Sequence, residues 1–404
     1  MISVEDAVAR IVAAVAPLGA ELVSVADAVG RVLAEDVRAR VTHPAAPVSA
    51  MDGYAVRAAD VAAVPARLRV VGTSAAGHPC DRSPGPDEAV RIFTGAVVPE
   101  GADAVVMQEN TEAGDGVVTV RESVAVGAFI RATGMDFAAG QVLLRRGRRL
   151  SFRDVALAAA MNVPWLHVVR RPRIAILSTG DEVALPGDPL RPGLLVNSNG
   201  FGLAAFVTAA GGVAVDLGVA LDDAESLRTL AAGARGADML VTSGGVSVGD
   251  HDLIQKVLGE VGLATDFWRV AVRPGKPLVF GRFGDVPLLG LPGNPVSALV
   301  GAVVFLEPAL RVLQGLPAHA GPRLTAELTR DLPANDGRED YLRASLVRRP
   351  DGSLAVTPFA HQDSAMLAHL AQADCLAVRP VNAPPAPAGS RIEIVPLDGD
   401  FHLG

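Results

Sequence analysis

The chain has 404 residues, half of them apolar and a fifth charged, with a net charge of −8. That length calls for two to four domains, and the composition excludes a disordered chain. The acidic balance excludes a general nucleic-acid-binding surface, though not a local basic pocket. Cys80 and Cys375, its two cysteines, fit no zinc or redox spacing and read as buried free thiols in a reducing cytosol.

At the N-terminus, Ile2, Ala7, Ile11 and Val15 recur at roughly helical spacing and predict an amphipathic helix. Glu5 and Asp6 stand where a signal peptide would carry positive charge. The longest apolar run, Ala298–Leu306, is too short for a bilayer. A cytoplasmic protein is therefore expected, with no membrane and no nucleic-acid partner.

Four segments follow in chain order. Residues 1–45 and 141–168 predict an N-terminal, elongated helical domain, with Ser151 as the N-cap of its second part. Between them, residues 46–140 hold short apolar stretches broken by Gly and Pro, the pattern of an inserted β-rich domain. Residues 169–316 alternate strand and helix, which predicts a central, doubly wound, mostly parallel α/β domain. Residues 317–404 return to short strands and predict a C-terminal β-barrel-like domain.

Three glycine-rich loops follow strands of the α/β segment, where such folds bind ligands: STGDEV (178–183), TSGGVSVGDHD (242–252) and LPGNPVSA (291–298). Asn294 predicts a helix cap and Pro295 a first helical residue, leaving N–H groups that favour an anion. Gly244 and Gly245 predict close backbone approach, and Ser243 and Ser247 supply hydroxyls. No Walker or dinucleotide glycine pattern is present. Carboxylates recur beside these loops: Asp181 and Glu182, Asp222 and Asp223, Asp250 and Asp252. Such a group repels unless a cation joins it, and Mg²⁺ held by a few carboxylates and substrate phosphates fits. The chain has 34 Arg but only Lys256 and Lys276 as lysines; Lys276 lies in RPGKP and, with Arg273, suits an anionic ligand. Metal-assisted attack on a phosphoanhydride is the reaction class these features imply.

Earlier in the chain stand PVSAMDGYAV (47–56), with Asp52, and RIFTGAVVPEGADAVVMQE (91–109), with Thr94. With the three loops, RPGKP and GREDYLRA (337–344), these motifs closely resemble the molybdopterin molybdenumtransferase family, which includes the E domain of gephyrin. The matches run in order over about residues 47–345.

The resemblance implies a transferase of molybdenum cofactor biosynthesis that inserts molybdate into adenylated molybdopterin, with Mg²⁺-dependent hydrolysis of the adenylate and release of AMP. It implies Asp52, Thr94, Asp136, Glu182, Asp222 and Asp252 as catalytic groups, with Glu182 and Asp252 toward the metal. Thr179, Gly180, Ser243, Gly244, Gly245 and Ser247 would cradle the ligand. So would Pro292, Gly293, Asn294 and Ser297, with Arg273 and Lys276 on its anionic parts and Arg343 and Ser364 beside them. The family's homodimer would share a cleft, Asp52 and Thr94 acting in trans. Its further partners would be the molybdopterin adenylyltransferase and acceptor molybdoenzymes. A tungstate-inserting relative and a non-catalytic molybdopterin-binding scaffold are the rival readings.

Overall fold

The computed structural model describes residues 1–245, 263–319 and 323–397. Residues 1–21, 30–34 and 168–404 form one compact unit, and residues 22–29 and 35–167 form a second. The helix expected within 251–262, and with it Ser247, Asp250, Asp252 and Lys256, lies outside the described residues.

Helix α1 (Val4–Ala13) starts at Ser3, whose hydroxyl accepts the Asp6 N–H. Glu5 and Asp6 in its first turn and Arg10 in its last complement the helix dipole. The apolar stripe is real, and Val4, Ala7 and Ile11 bury it in the core of the larger unit. The helix stops sooner than its periodicity suggested. Residues 14–45 form short extended pieces and a 3₁₀ turn at Val25–Asp27 rather than continuing helical. Pro17 and Gly19, just downstream, disfavour continuation.

The smaller unit is built on a six-stranded sheet. Its strands are β1 (Gly53–Val56), β2 (Ala66–Ser74), β3 (Glu88–Ile92), β4 (Ala104–Met107), β5 (Thr111–Gly114) and β6 (Val117–Val120). They lie in the order β4-β1-β3-β2-β6-β5. All four residues of β1 are buried between β3 and β4, so the backbone at Asp52 is anchored from its C-terminal side. Helix α2 (Phe152–Ala160) begins at Ser151, which forms a reciprocal capping box with Asp154.

The α/β domain contains β7 (Arg173–Thr179), α3 (Ser198–Ala209), β8 (Val213–Ala220), α4 (Ala224–Ala232) and β9 (Met239–Ser243). It continues with β10 (Leu263–Arg269), β11 (Pro277–Phe283), β12 (Val286–Leu291) and α5 (Pro295–Gly301). The sheet order is β8-β7-β9-β12-β11-β10. The first four strands are parallel; β11 and β10 add an antiparallel edge that strand–helix alternation did not predict. Strands β7, β9 and β12 are buried almost throughout, as strands covered on both faces must be. Ile174, Ile176, Val241 and Leu289 meet the α3 and α5 side, while Ala175, Leu177 and Leu240 meet Leu227 and Ala231 of α4.

Helix α5 runs on through a π-helical stretch, Ala302–Leu306, into α6 (Glu307–Leu313). By length and composition the whole helix, Pro295–Leu313, could cross a membrane, which the shorter uninterrupted apolar run did not reveal. Its apolar window is 72% buried, because it serves as a core helix of the α/β domain.

The C-terminal strands β13 (Leu324–Leu328), β14 (Glu339–Arg348), β15 (Leu354–Pro358), β16 (Cys375–Arg379) and β17 (Arg391–Pro396) form a ring. The order β14-β15-β13-β17-β16 closes back on β14, a five-stranded barrel filled by Leu328, Ala344, Val356, Cys375 and Ile394.

Candidate active site

Three parallel strands end side by side. Ser178 of β7 is in register with Ser243 of β9, and Ser243 with Leu291 of β12. The loops that follow are therefore neighbours at one sheet edge. The Gly244 N–H donates to the Leu291 carbonyl at 3.2 Å, and the Gly180 N–H to the Ala220 carbonyl at 3.1 Å.

Their approach is close enough to demand glycine at one position. Gly244 has φ +94°, and a Cβ there would fall 2.6 Å from the Thr179 carbonyl oxygen. Both the conformation and the space exclude a side chain. At Gly293 a Cβ would meet only the Gly244 Cα, at 3.7 Å, so that position is open toward its neighbouring loop.

An asparagine fastens the second and third loops together. Asn199 Nδ2 donates to Ser243 Oγ at 2.7 Å and to the Gly293 carbonyl at 2.8 Å. Ser243 Oγ in turn lies 3.5 Å from the Pro292 carbonyl. Asn197, two residues earlier, accepts the Gly200 N–H and caps α3 while binding Ser178 Oγ at 3.1 Å. Within the same edge, Thr179 Oγ1 and Asn199 Oδ1 are buried and, among the described residues, have no hydrogen-bond partner. Such orphans carry a desolvation cost that a bound ligand can relieve.

The carboxylates surround the first loop. Glu182 folds back over it, for a Cβ on Gly180 would lie 2.6 Å from Glu182 Oε2. The Asp222 N–H donates to Asp181 Oδ1 at 2.8 Å. It is Asp223, not Asp222, that caps α4, through the Ser226 N–H at 2.8 Å, so capping does not account for Asp222.

Asn294 holds the N-cap position of α5, but its side chain makes no capping bond. Instead its Nδ2 donates to Ser364 Oγ at 3.0 Å, and the Val296 N–H donates to the Ser364 carbonyl at 3.1 Å. The expected free helix start is thus partly occupied by the barrel's 362–364 loop. Arg343, 1% exposed, braces that loop by donating to the Asp363 carbonyl at 2.9 Å. Burial holds its guanidinium below the usual arginine range, and among the described residues its Nε has no partner. Arg343 therefore reaches the site through Ser364 rather than presenting its charge openly.

The two expected cations separate. A Cβ on Gly275 would lie 3.8 Å from Ser297 Cβ and 3.9 Å from Pro292 Cγ, so RPGKP rests on the third loop. Lys276 is exposed there and, among the described residues, has no ion-pair partner. Arg273 is not available for an anion: it pairs with Asp340 and Asp336 and donates to Asn335 Oδ1 at 3.0 Å. Asp340 is 4% exposed, so this is a half-buried structural pair. Sequence reading missed Asn335, Asp336 and Asp340 as its holders, and it missed Asn199.

In the smaller unit, one oxygen of Asp52 accepts two bonds from Thr94, from its N–H at 2.7 Å and its hydroxyl at 2.8 Å. The backbone bond first, then the hydroxyl, and then the nearby Arg91 charge hold the Asp52 carboxyl below its ordinary value. Arg91 is itself fixed over Tyr54 and Phe93 and bonded to the Gly53 carbonyl at 2.9 Å. Asp136, in the same unit, is exposed, with its N–H on the His43 carbonyl at 3.1 Å and no side-chain hydrogen bond to Asp52 or Thr94.

Comparisons with known proteins identify the family. The family profile for the MoeA N-terminal region (domain I and II) matches residues 2–162. A probable molybdopterin binding domain matches residues 175–312, and the MoeA C-terminal region (domain IV) matches residues 325–397. A molybdopterin molybdenumtransferase of Nostoc sp. is 38% identical over 387 residues, 93% of this chain and 88% of that protein. The one of Haemophilus influenzae is 34% identical over 385 residues, 95% of each. The crystal structure of a molybdopterin biosynthesis MoeA protein from Pyrococcus horikoshii superimposes with TM-score 0.85 at 30% identity, covering 99% of this chain and 100% of that one. With three profiles in order and relatives aligned along nearly its whole length, the chain belongs to the molybdopterin molybdenumtransferase family, transferases of molybdenum cofactor biosynthesis.

Proposed function

We propose that this chain inserts molybdate into adenylated molybdopterin, hydrolysing the adenylate with Mg²⁺ and releasing AMP. The observation that carries this reading is the sheet edge itself. Three glycine-rich loops follow the neighbouring ends of parallel strands, with Thr179 Oγ1 and Asn199 Oδ1 buried there and, among the described residues, unpartnered. Such an edge suits a compact polar ligand held by backbone and hydroxyl groups.

Mg²⁺ makes modest demands on protein donors. Among the described residues no three His, Cys, Asp or Glu side chains converge on a common point. Mg²⁺ often takes only one or two protein carboxylates, completing its octahedron with water and substrate phosphates. Glu182, folded over the first loop, fits that pattern, and Asp252 is the second carboxylate this reading assigns. Bound there, the ion would supply charge neutralisation at a phosphoanhydride.

The chain's own groups divide the remaining work. Gly244 lets the second loop close on Thr179, and Gly293 leaves room for the ligand against the backbone. Lys276, with no competing acid among the described residues, offers its ammonium to an anionic group. Asp52, kept ionised by Thr94, is a fixed acceptor for a protonated oxygen of the ligand. The working form in this reading is a homodimer, with Asp52 and Thr94 of one subunit serving the loops of the other. Tungstate, an oxyanion of nearly the same size, is the second substrate to try.

The test mixes pure protein with adenylated molybdopterin, Mg²⁺ and molybdate and follows AMP. Molybdate-dependent release supports the reading; binding of molybdopterin without release would leave a scaffold.

A further inference from the structure

Asn199 lies in the first turn of α3, one residue beyond Ser198 and within reach of two loops that are distant in sequence. Its carboxamide orientation is fixed by chemistry. The Gly293 carbonyl can only accept, so the NH₂ end must face it. That same NH₂ reaches Ser243 Oγ. Oδ1 is therefore directed away from both loops' anchoring atoms, and it is buried without a donor. Thr179, 7% exposed, leaves its Oγ1 unpartnered at the same sheet edge, 2.8 Å from where a Gly244 Cβ would stand. Two unpartnered polar atoms at one sheet edge point to a ligand there, because a packed core satisfies such atoms internally.

We propose that Asn199 is a substrate-recognition residue of this site: its Nδ2 locks the second and third loops together, and its Oδ1 accepts an N–H or O–H from the ligand bound at this sheet edge. This rests on the reading of the edge as the molybdopterin site. The donor is either a pterin N–H or a ribose hydroxyl of the adenylate, and both have the same hydrogen-bonding chemistry. A site built around such an acceptor rejects ligands that cannot donate, since the acceptor is then left buried and unpaired.

The test uses the full-length protein and two equilibrium titrations, one with molybdopterin and one with AMP, together with thermal melts. Asn199→Ala should weaken one of the two ligands about tenfold, the factor carried by one buried hydrogen bond. The other ligand should bind within twofold of wild type, and the weakened ligand identifies the donor. Asn199→Asp is nearly isosteric and keeps an acceptor while losing the clamp. It should recover part of the lost binding although it sets a carboxylate against the Gly293 carbonyl. Unchanged binding of both ligands to Asn199→Ala would overturn the proposal. So would an equal loss of both ligands in both variants that tracks a fall in melting temperature, which is the behaviour of a purely structural clamp. If wild type binds molybdopterin in an Asn199-dependent way yet releases no AMP, the enzymatic reading fails and this one stands.

Discussion

Thr94 gives both of its donors to a single oxygen of Asp52, the backbone N–H at 2.7 Å and the hydroxyl at 2.8 Å. The other carboxylate oxygen is left for something else. Since the ionised form accepts these bonds, the Asp52 carboxyl titrates below its ordinary value. Its contribution to stability is present above the unfolded-state pKa and is lost only as pH falls through the lowered folded value. Neutral pH therefore leaves the pair intact. Thr94→Val keeps the backbone bond and removes the hydroxyl. It should raise the Asp52 pKa part of the way back, read by carboxyl-carbon NMR, and lower turnover about tenfold. An unmoved titration would show that the hydroxyl does not hold the carboxylate.

Gly244 and Gly293 should respond differently to alanine. At Gly244 the new Cβ would strike the Thr179 carbonyl in a left-handed backbone, so Gly244→Ala should destabilise by about 1–3 kcal/mol and abolish activity. At Gly293 the Cβ meets ordinary contact distance, so the fold should hold and KM should rise. Thermal melts and steady-state kinetics separate the two, and equal melting temperatures would contradict the close-packed geometry at Gly244.

Arg273 should act through stability. Arg273→Ala leaves Asp340 buried without its cation, and about 1–3 kcal/mol of unfolding free energy should be lost in denaturant titration. Lys276→Ala should leave the melt unchanged and lower turnover. The reverse pattern would exchange the roles assigned to these two residues.

If the cleft is shared, inactive Asp52→Ala and Glu182→Ala proteins should regain activity when subunits exchange. One of the hybrid's two clefts would then carry both wild-type groups. No recovery after exchange confirmed by mass measurement would place both groups on the same subunit's cleft.

The alternation of strands and helices from Arg173 to Ser243, resumed from Val286 to Leu313, was legible because short apolar runs and helix-forming runs are separated by loops that carry glycines. So was the capping of α2, since Ser151 and Asp154 are local partners. What escaped was non-local. Periodicity marked α1 as amphipathic but could not say that Val4, Ala7 and Ile11 would join a core containing Leu310. The antiparallel edge, β10 and β11, gave no helix between its strands to signal it. Arg273 looked like an anion-binding cation because Asp336 and Asp340, its partners, stand more than 60 residues later. Asn294 looked like a cap, yet a serine 70 residues away takes its side chain. Asn199 left only a faint signal, a second asparagine just after the Asn197 cap.

The most direct measurement is AMP release from adenylated molybdopterin by the pure protein with Mg²⁺, with and without molybdate. The account predicts release that depends on molybdate and is lost in Glu182→Ala while the fold persists. Release that is absent, or that proceeds equally without molybdate and in Glu182→Ala, would contradict it.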